Sequence, residues 1–341
     1  MRIIDGRFHA NEIYKSIKSF VSTTISPYGK AFEHLENNVR PTLAFFLIGD
    51  REDSKIYVGI KKKTCKRLGF NYLEFNYPET VTFNELQNKI IYCNKNSDVH
   101  GILVQCPLPK HIDESAIMAT IDPKKDVDGF HSDNTSYLLQ NHLAKREPSK
   151  LPFIQQSKEE KLHFYPCTPL GIITLLAREE ITVKGKRIAI VGCGRVGRPL
   201  SMMFIEWGAV PTLCNSNTNY LFDNNLEKII NTADIIVTCT GVYDVVNVDW
   251  IRDDAIVIDV GVQRINNRLT GELDREKLDK RPILGTPSPG GVGPMTVAML
   301  MNNLTLSWFF CQKEKLLGNV NEDWSHGDGP FDIQNEFMER E

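Results

Sequence analysis

The chain has 341 residues, and its 40 Lys plus Arg nearly balance 43 Asp plus Glu, giving a formal net charge of -3. This length favours two domains, because a typical domain has about 150 residues. The charge supplies no basic field for phosphates, so we expect no nucleic-acid partner. No apolar run approaches the ~20 residues that span a bilayer, and the first residues do not form a signal peptide, so we expect no membrane partner and a cytoplasmic protein.

The eight cysteines are widely spread and include no C-x-x-C pair. This pattern predicts neither a zinc site nor a disulfide framework. Cys106 and Cys239 end apolar runs, which is typical of small buried side chains. We therefore expect free thiols, no bound metal and a reducing compartment.

Short apolar runs alternate with amphipathic segments, a pattern typical of βαβ units around parallel sheets. The predicted fold class is therefore α/β. Several predicted strands are continuously apolar, as expected when helices cover both faces of a sheet. The predicted strands are 42–48, 101–105, 187–191, 211–214, 235–239 and 255–260. The predicted helices are 11–23, 54–68, 83–94, 169–180, 196–207, 226–231 and 295–310.

Two segments differ in composition from the rest of the chain. Residues 141–163 are rich in Lys, Glu, Pro, Ser and Gln without periodicity, which predicts a solvated linker or insertion between two domains. Residues 318–341 contain seven acidic residues and one basic residue, which predicts a disordered acidic tail. A solvated end without function is the simpler interpretation of that tail, and a binding role is the alternative.

A glycine-rich motif follows the predicted strand 187–191. In a G-x-G-x-x-G motif the first glycine permits a tight turn, the second lets the backbone approach a pyrophosphate, and the third lets helix and strand pack closely. The amino terminus of the following helix faces the anion. Thr240 and Gly241 follow a later strand, so the pattern favours a dinucleotide site over a purely structural turn. The motif residues are Gly192, Cys193, Gly194, Arg195, Val196 and Gly197.

The next predicted strand ends before Asn215-Ser216-Asn217, where an NAD site usually has an acidic residue for the ribose. Ser216 can instead hydrogen-bond a 2′-phosphate, with help from Arg195 or Arg198. This arrangement favours NADP. The alternatives are that both arginines are solvated or bind the pyrophosphate, and NAD is the alternative coenzyme.

Four stretches carry polar groups that suit a ligand site. Tyr57 and Lys61 lie on one helical face, a spacing that is also common in ordinary surface pairs. Gln105 ends a strand, where α/β proteins place ligand groups, and a capping or loop role is the alternative. Asp128 lies in an acidic turn, with a plain Asx turn as the alternative. The Pro- and Gly-rich residues 286–296 predict a tight backbone whose amides can approach a flat ligand before a helix.

These motifs, in this order, resemble the bifunctional methylenetetrahydrofolate dehydrogenase/methenyltetrahydrofolate cyclohydrolase family. The resemblance implies oxidation of 5,10-methylenetetrahydrofolate with NAD(P)⁺ and hydrolysis of the methenyl product to 10-formyltetrahydrofolate. It also implies a homodimer, with an active site in the cleft between two α/β domains. The matching segments are Tyr57 with Lys61, 101–109, 125–130, 166–169, 257–261 and 289–299.

The resemblance further implies a folate-binding catalytic domain at 1–150, completed by a carboxyl-terminal helix at 294–315, and a Rossmann-type domain at 164–290. It makes Lys61 the cyclohydrolase lysine and Gln105 its hydrogen-bond partner, and it places Tyr57 and Asp128 on the folate ring system. The residues implied to line the substrate are Gly291, Val292, Gly293 and Pro294. Beyond the glycine-rich turn, the residues implied for the coenzyme are Ser216, Thr240, Gly241, Val262 and Thr286.

The chain departs from the family pattern mainly at the glycine-rich turn. This turn is one residue shorter than the pattern G-R-S-x-x-V-G and has Cys193-Gly194 where Arg-Ser is common, so the usual 2′-phosphate arginine is missing. A noncatalytic or cyclohydrolase-only protein with an altered coenzyme site is therefore one alternative. A monofunctional dehydrogenase is expected to lack Lys61, and an unrelated Rossmann dehydrogenase does not explain residues 289–299. Smaller departures are Cys106, Ser136, Glu272, Ser288 and the insertion at 143–162.

Overall fold

The structure is a computed structural model that describes residues 1–25, 39–138, 162–219, 224–265 and 268–323. It contains two parallel sheets with helices packed around them, which confirms the predicted α/β class. The predicted insertion at 143–162 lies outside these residues, apart from its last position. In the ranges that the structure describes, no helix is long and apolar enough to cross a membrane.

The first sheet has three parallel strands in the order β3-β2-β4. The central strand β2 (Thr42–Ile48) pairs with β3 (Asn71–Tyr77) and β4 (Gly101–Val104). Leu43 to Ile48 are buried, as expected for a central strand covered on both faces. In contrast, β3 is an edge strand with polar residues between its apolar ones, which is why its apolar pattern did not mark it as a strand.

Helices α1, α2 and α3 pack around this sheet and extend the predicted helices by one to five residues at their ends. Helix α3 begins after Thr82, whose hydroxyl accepts from the Glu85 N–H, a favourable amino-terminal cap. Two further helices, α4 and α5, have seven and six residues, too few for a clear periodic pattern. The five helices are α1 (Gly6–Ile25), α2 (Glu52–Leu68), α3 (Phe83–Lys95), α4 (Glu114–Thr120) and α5 (Ser132–Tyr137).

The second sheet has six parallel strands in the order β1-β11-β8-β7-β5-β6. Strand β5 lies between β6 and β7, so the chain reverses its direction of travel across the sheet at this point. The crevice outside the carboxyl ends of such strands is the usual ligand position in open α/β sheets. The strands are β1 (Arg2–Ile3), β5 (Arg187–Val191), β6 (Val210–Cys214), β7 (Ile235–Thr238), β8 (Ile256–Asp259) and β11 (Leu284–Gly285), and β9 (Gln263–Ile265) pairs with β10 (Arg268–Thr270) in a separate hairpin.

The first residues of the chain belong to the second sheet, although we expected them in the amino-terminal domain. Strand β1 pairs in parallel with β11, and the chain then crosses to α1 at Gly6. A β-carbon on Gly6 would lie 1.8 Å from the Gly291 carbonyl oxygen, so the crossing requires glycine.

The last described helix joins the two halves of the molecule. Helix α10 packs against α1 and α6, and it buries Leu304 and Trp308 in the shared core. It continues to Asp323 and so includes the first six residues of the acidic segment 318–341; the rest of that predicted tail lies outside the described residues. The remaining helices are α6 (Cys167–Arg178), α7 (Gly197–Glu206), α8 (Asn225–Thr232), α9 (Arg275–Asp279), α10 (Val292–Asp323) and a 3-10 helix at Val248–Trp250.

Candidate active site

A cavity of about 850 Å³ lies between α2, the turn before α10 and the segment after β8. Tyr57 and Ile60 of α2 line one wall, and their side chains are 39% and 45% exposed. Val262 lines the opposite wall, from the segment that follows β8 of the second sheet. The cavity is therefore built by both halves of the molecule.

Lys61 lies one helical turn after Tyr57, and its Nζ donates to Gln105 Oε1 at 3.0 Å. Gln105 follows β4 directly, and its Nε2 donates to the Cys106 carbonyl at 3.0 Å, which orients the amide oxygen toward Lys61. Burial lowers the pKa of Lys61, because desolvation disfavours the ammonium form, and the nearby Asp128 carboxylate offsets part of this effect. The lysine is thus prepared to lose its proton more readily than a solvated lysine.

Asp128 is half-buried beside Lys61 and the Cys167 thiol. The turn that carries it is organised by Asp126, a buried carboxylate that we did not predict. Asp126 accepts from the backbone N–H groups of Gly129 and His131 at 3.2 and 2.7 Å and from Asn134 Nδ2 at 2.9 Å. Burial raises the pKa of Asp126. In the sequence, only its position two residues before Asp128 could have identified Asp126 as part of the site.

Asn303 is a second residue of this region that the sequence did not single out. Its Nδ2 donates to the Val127 carbonyl at 2.9 Å and to the Tyr165 carbonyl at 3.2 Å, from the middle of α10. It thus ties the segment that carries Asp128 to the start of α6. A buried amide in an otherwise apolar helix was the signal that could have identified it.

The Pro- and Gly-rich turn before α10 has the tight backbone that the sequence predicted. The Gly291 N–H donates to the Pro287 carbonyl at 2.7 Å. Of the four residues implied to line the substrate, Val292, Gly293 and Pro294 line the cavity. Gly291 is instead buried against Gly6.

The glycine-rich turn after β5 has the geometry that a dinucleotide requires. A β-carbon on Gly192 would lie 2.4 Å from the Cys239 carbonyl oxygen, and one on Gly197 would lie 1.8 Å from the Gly192 carbonyl oxygen. A β-carbon on Gly194 would have no heavy atom of the described residues within 4 Å. The first and third glycines thus serve packing, whereas the second leaves space for a ligand. Val196 is half-buried against the core.

The two arginines of this turn take different directions. Arg195 forms an ion pair with Glu114 of α4. Arg198 is exposed, and its Nε donates to Cys193 Sγ at 3.4 Å. Ser216 is exposed just beyond the carboxyl end of β6, the strand next to β5.

Thr240, Gly241 and Thr286 were also implied for the coenzyme and also follow strand ends. Their polar groups, however, already have hydrogen-bond partners within the protein. Thr240 and Gly241 follow β7, and their N–H groups donate to the buried Glu272 carboxylate at 2.9 and 2.8 Å; the Thr240 hydroxyl also donates to it at 2.8 Å. Thr286 is 1% exposed, and its hydroxyl accepts from the Asp259 N–H at 2.9 Å. Thr286 therefore fixes the end of β8 and does not reach the cavity.

Asp259 connects these contacts. It accepts from the N–H groups of Glu272 and Leu273 at 3.0 and 3.3 Å and from the Thr238 hydroxyl at 3.2 Å. Burial raises the pKa of Asp259 to about 6. Asp259 thus holds the segment that carries Glu272, and Glu272 holds the turn after β7.

We expect Glu272→Gln to lower the free energy of unfolding by about 2 kcal/mol, because an amide oxygen is a weaker acceptor than a carboxylate for these three donors. Chemical denaturation of the purified protein measures the change. Glu276→Gln is the matched control, since Glu276 is exposed on α9. Equal stability of the Glu272 and Glu276 variants would contradict a structural role for the Glu272 carboxylate.

Two family models match the chain and together cover most of it. The tetrahydrofolate dehydrogenase/cyclohydrolase catalytic domain matches residues 4–128, which include α2 and the Asp128 turn. The NAD(P)-binding domain of the same family matches residues 166–310, which include the glycine-rich turn.

Individual proteins agree with this assignment. The bifunctional protein FolD of Aquifex aeolicus is 39% identical over 304 residues, which cover 89% of this chain and 94% of that protein. The crystal structure of FolD from Campylobacter jejuni is 33% identical, has a TM-score of 0.77 and covers 91% of this chain and 99% of its own. The Trypanosoma brucei enzyme, complexed with NADP and an inhibitor, is 31% identical, has a TM-score of 0.77 and covers 91% of this chain and 98% of its own. The chain therefore belongs to the bifunctional tetrahydrofolate dehydrogenase/cyclohydrolase family, with a catalytic domain and an NAD(P)-binding domain.

Proposed function

We propose that the chain oxidises 5,10-methylenetetrahydrofolate to the methenyl compound with NADP⁺ and hydrolyses that compound to 10-formyltetrahydrofolate in the same cleft. One observation carries the proposal. Lys61 Nζ lies 3.0 Å from Gln105 Oε1, one helical turn from Tyr57, which lines a cavity between the two halves.

The oxidation requires orientation more than proton transfer. The methylene carbon between N5 and N10 loses a hydride, and the resulting amidinium is stabilised by resonance. A bound nicotinamide dinucleotide supplies the hydride acceptor. The work of the protein is to hold two flat partners face to face, with Tyr57 on one side and the backbone of residues 287–294 on the other.

The hydrolysis requires proton transfer. Water adds to the amidinium carbon, the bond from this carbon to N5 breaks, one proton of the water ends on N5 and the other is released. The lowered pKa of Lys61 lets its amine accept a proton from the attacking water and deliver it. Gln105 directs the amine, and Asp128 pairs with N–H groups of the pterin to set the position of the substrate.

The proposal is tested with the purified full chain, 5,10-methylenetetrahydrofolate and either NADP⁺ or NAD⁺. We expect reduced nicotinamide to form without accumulation of the methenyl compound, and added methenyl substrate to be hydrolysed. The second candidate function is a cyclohydrolase-only protein. The observation that supports it is the replacement of the family's Arg-Ser by Cys193-Gly194 in the coenzyme turn. Hydrolysis without reduction of either coenzyme would support that alternative.

We propose NADP as the preferred coenzyme, with Arg198 and Ser216 as ligands of its 2′-phosphate. Arg198 reaches Cys193, the position at which the family's usual arginine is missing. The guanidinium can therefore supply, from the first turn of α7, the positive charge that the shortened turn has lost.

Arg198→Ala is expected to raise the KM for NADP⁺ about tenfold, because a charge-assisted contact to the phosphate is lost. The KM for NAD⁺, which has no 2′-phosphate, is the internal control and should change less than twofold. Initial rates of nicotinamide reduction measure both constants. An equal rise for the two coenzymes would assign Arg198 to the pyrophosphate or to the structure of the turn.

We also propose a cytoplasmic homodimer. Its catalytic domain ends near residue 150 and is completed by 294–315, and its Rossmann-type domain at 164–290 also includes β1 in its sheet. The family resemblance supports the dimer, and the family models at 4–128 and 166–310 support the division. The eight free thiols suit a reducing compartment. Light scattering after gel filtration should give twice the mass of one chain, and a monomeric mass would exclude the dimer.

A further inference from the structure

The arginine of the glycine-rich turn reaches across the cleft to the other half of the molecule. Arg195 lies between β5 and α7, but its guanidinium forms an ion pair with Glu114 of α4. The same guanidinium lies 5.3 Å from the centroid of the Phe130 ring. One residue of the dinucleotide turn therefore contacts two segments of the catalytic half.

The first contact leads to the loop that carries Gln105. One carboxylate oxygen of Glu114 faces Arg195, and the other accepts from the Leu108 N–H at 3.1 Å. The Cys106 thiol lies near both Arg195 and Glu114. The loop from Gln105 to Leu108 is thus fixed at its Leu108 end by Glu114 of this ion pair. At its other end, Gln105 contacts Lys61.

The second contact leads to the segment that carries Asp128. Phe130 is two residues away, and Gly129 between them has a positive φ of 80°. A β-carbon on Gly129 would lie 2.5 Å from the backbone of Tyr165, so this segment has little freedom to move independently of its neighbours. A cation above an aromatic ring is attracted by the ring quadrupole, so the guanidinium restrains the Phe130 end of the segment.

We propose that Arg195 is a positioning residue for the hydrolysis, acting through Glu114 on Gln105 and through Phe130 on Asp128. This inference rests on the proposed cyclohydrolase function. An ion pair as exposed as this one contributes little to stability, so its loss should change the reaction rate more than the folding. Because the hydrolysis uses no dinucleotide, an effect on its rate cannot arise from weaker coenzyme binding.

The test measures hydrolysis of the methenyl substrate without any dinucleotide, for Arg195→Ala, Arg195→Lys, Glu114→Gln and the double variant Arg195→Ala/Glu114→Gln. We expect Arg195→Ala and Glu114→Gln each to lower kcat about tenfold with little change in KM, because small displacements of catalytic groups are costly. The double variant should be no slower than Arg195→Ala, since both changes remove one interaction. Arg195→Lys should recover part of the rate because it retains the charge.

Arg187→Ala is the matched control, because it removes an arginine paired with Asp234 at 3.2 Å at the other end of β5. Its hydrolysis rate should equal that of the wild type. Rates within twofold of wild type for Arg195→Ala, multiplying effects in the double variant, or an equal loss in Arg187→Ala would each overturn the proposal. A wild-type protein that does not hydrolyse the substrate would instead refute the proposed function itself.

Discussion

Lys61→Ala is expected to lower the rate of methenyl hydrolysis at least a hundredfold, because positioned general acid–base groups contribute about 10²–10⁴-fold. The oxidation of the methylene substrate should persist, since hydride loss needs no proton transfer from the protein. Stopped assays that follow the methenyl compound and the reduced coenzyme separately measure the two activities. The expected product pattern is therefore accumulation of the methenyl compound together with reduced coenzyme.

The neighbouring Lys62 provides a matched control for this variant. Its Nζ pairs with Glu74 Oε2 at 2.6 Å on the β3 side of α2. Lys62→Ala removes the same charge from the same helix and should leave hydrolysis within about twofold, as is usual for the loss of a surface ion pair. Hydrolysis by Lys61→Ala at more than a third of the wild-type rate would exclude Lys61 as the proton-transfer group.

The pH dependence of hydrolysis should carry the signature of Lys61. A lysine whose pKa is lowered becomes neutral at lower pH than a solvated lysine, so kcat should rise with pH and level off once Lys61 has lost its proton. Lys61→Arg retains a positive charge that does not titrate in this range, so it should be inactive in hydrolysis and lack the rise. If Lys61→Arg showed the same rise of kcat with pH as the wild type, the titration would belong to another group.

The sequence predicted those parts of the fold that depend on local pattern. Strands β5, β7 and β8 each contain three or four consecutive apolar residues, and the predicted bounds of each differ from the observed ones by at most two residues in total. Strands β1 and β11 have two residues each and exist because they pair with each other across most of the chain length. No local pattern can indicate such a pairing.

In the candidate site, too, the sequence predicted the residues that belong to local motifs, but not the contacts that depend on tertiary structure. The sequence motifs brought Tyr57, Lys61, Gln105 and Asp128 to attention, and the structure places Lys61 in contact with Gln105 and near Asp128. The direction of the Arg195 side chain was not predictable, because it depends on Glu114, a residue that only the packing of the two halves brings close. The contacts of Glu272 with the turn after β7 likewise depend on tertiary structure.

Gly197→Ala is expected to damage both the packing of the glycine-rich turn and the coenzyme site. Its β-carbon would lie 1.8 Å from the Gly192 carbonyl oxygen, so the backbone of the turn must move. Overpacking of this kind costs about 1–3 kcal/mol and displaces the groups that face the pyrophosphate. We expect a lower melting temperature and at least a tenfold rise in the KM for the coenzyme, since small displacements at a binding site are costly.

Gly194→Ala separates folding from binding in the same turn. At this position a β-carbon meets no heavy atom within 4 Å in the part of the chain that the structure describes, so the melting temperature should not change. The added methyl group would occupy the space through which the backbone approaches the pyrophosphate, so the KM for the coenzyme should still rise. A wild-type melting temperature and coenzyme KM in Gly197→Ala would show that the turn tolerates the added carbon, and the packing role of the third glycine would then be wrong.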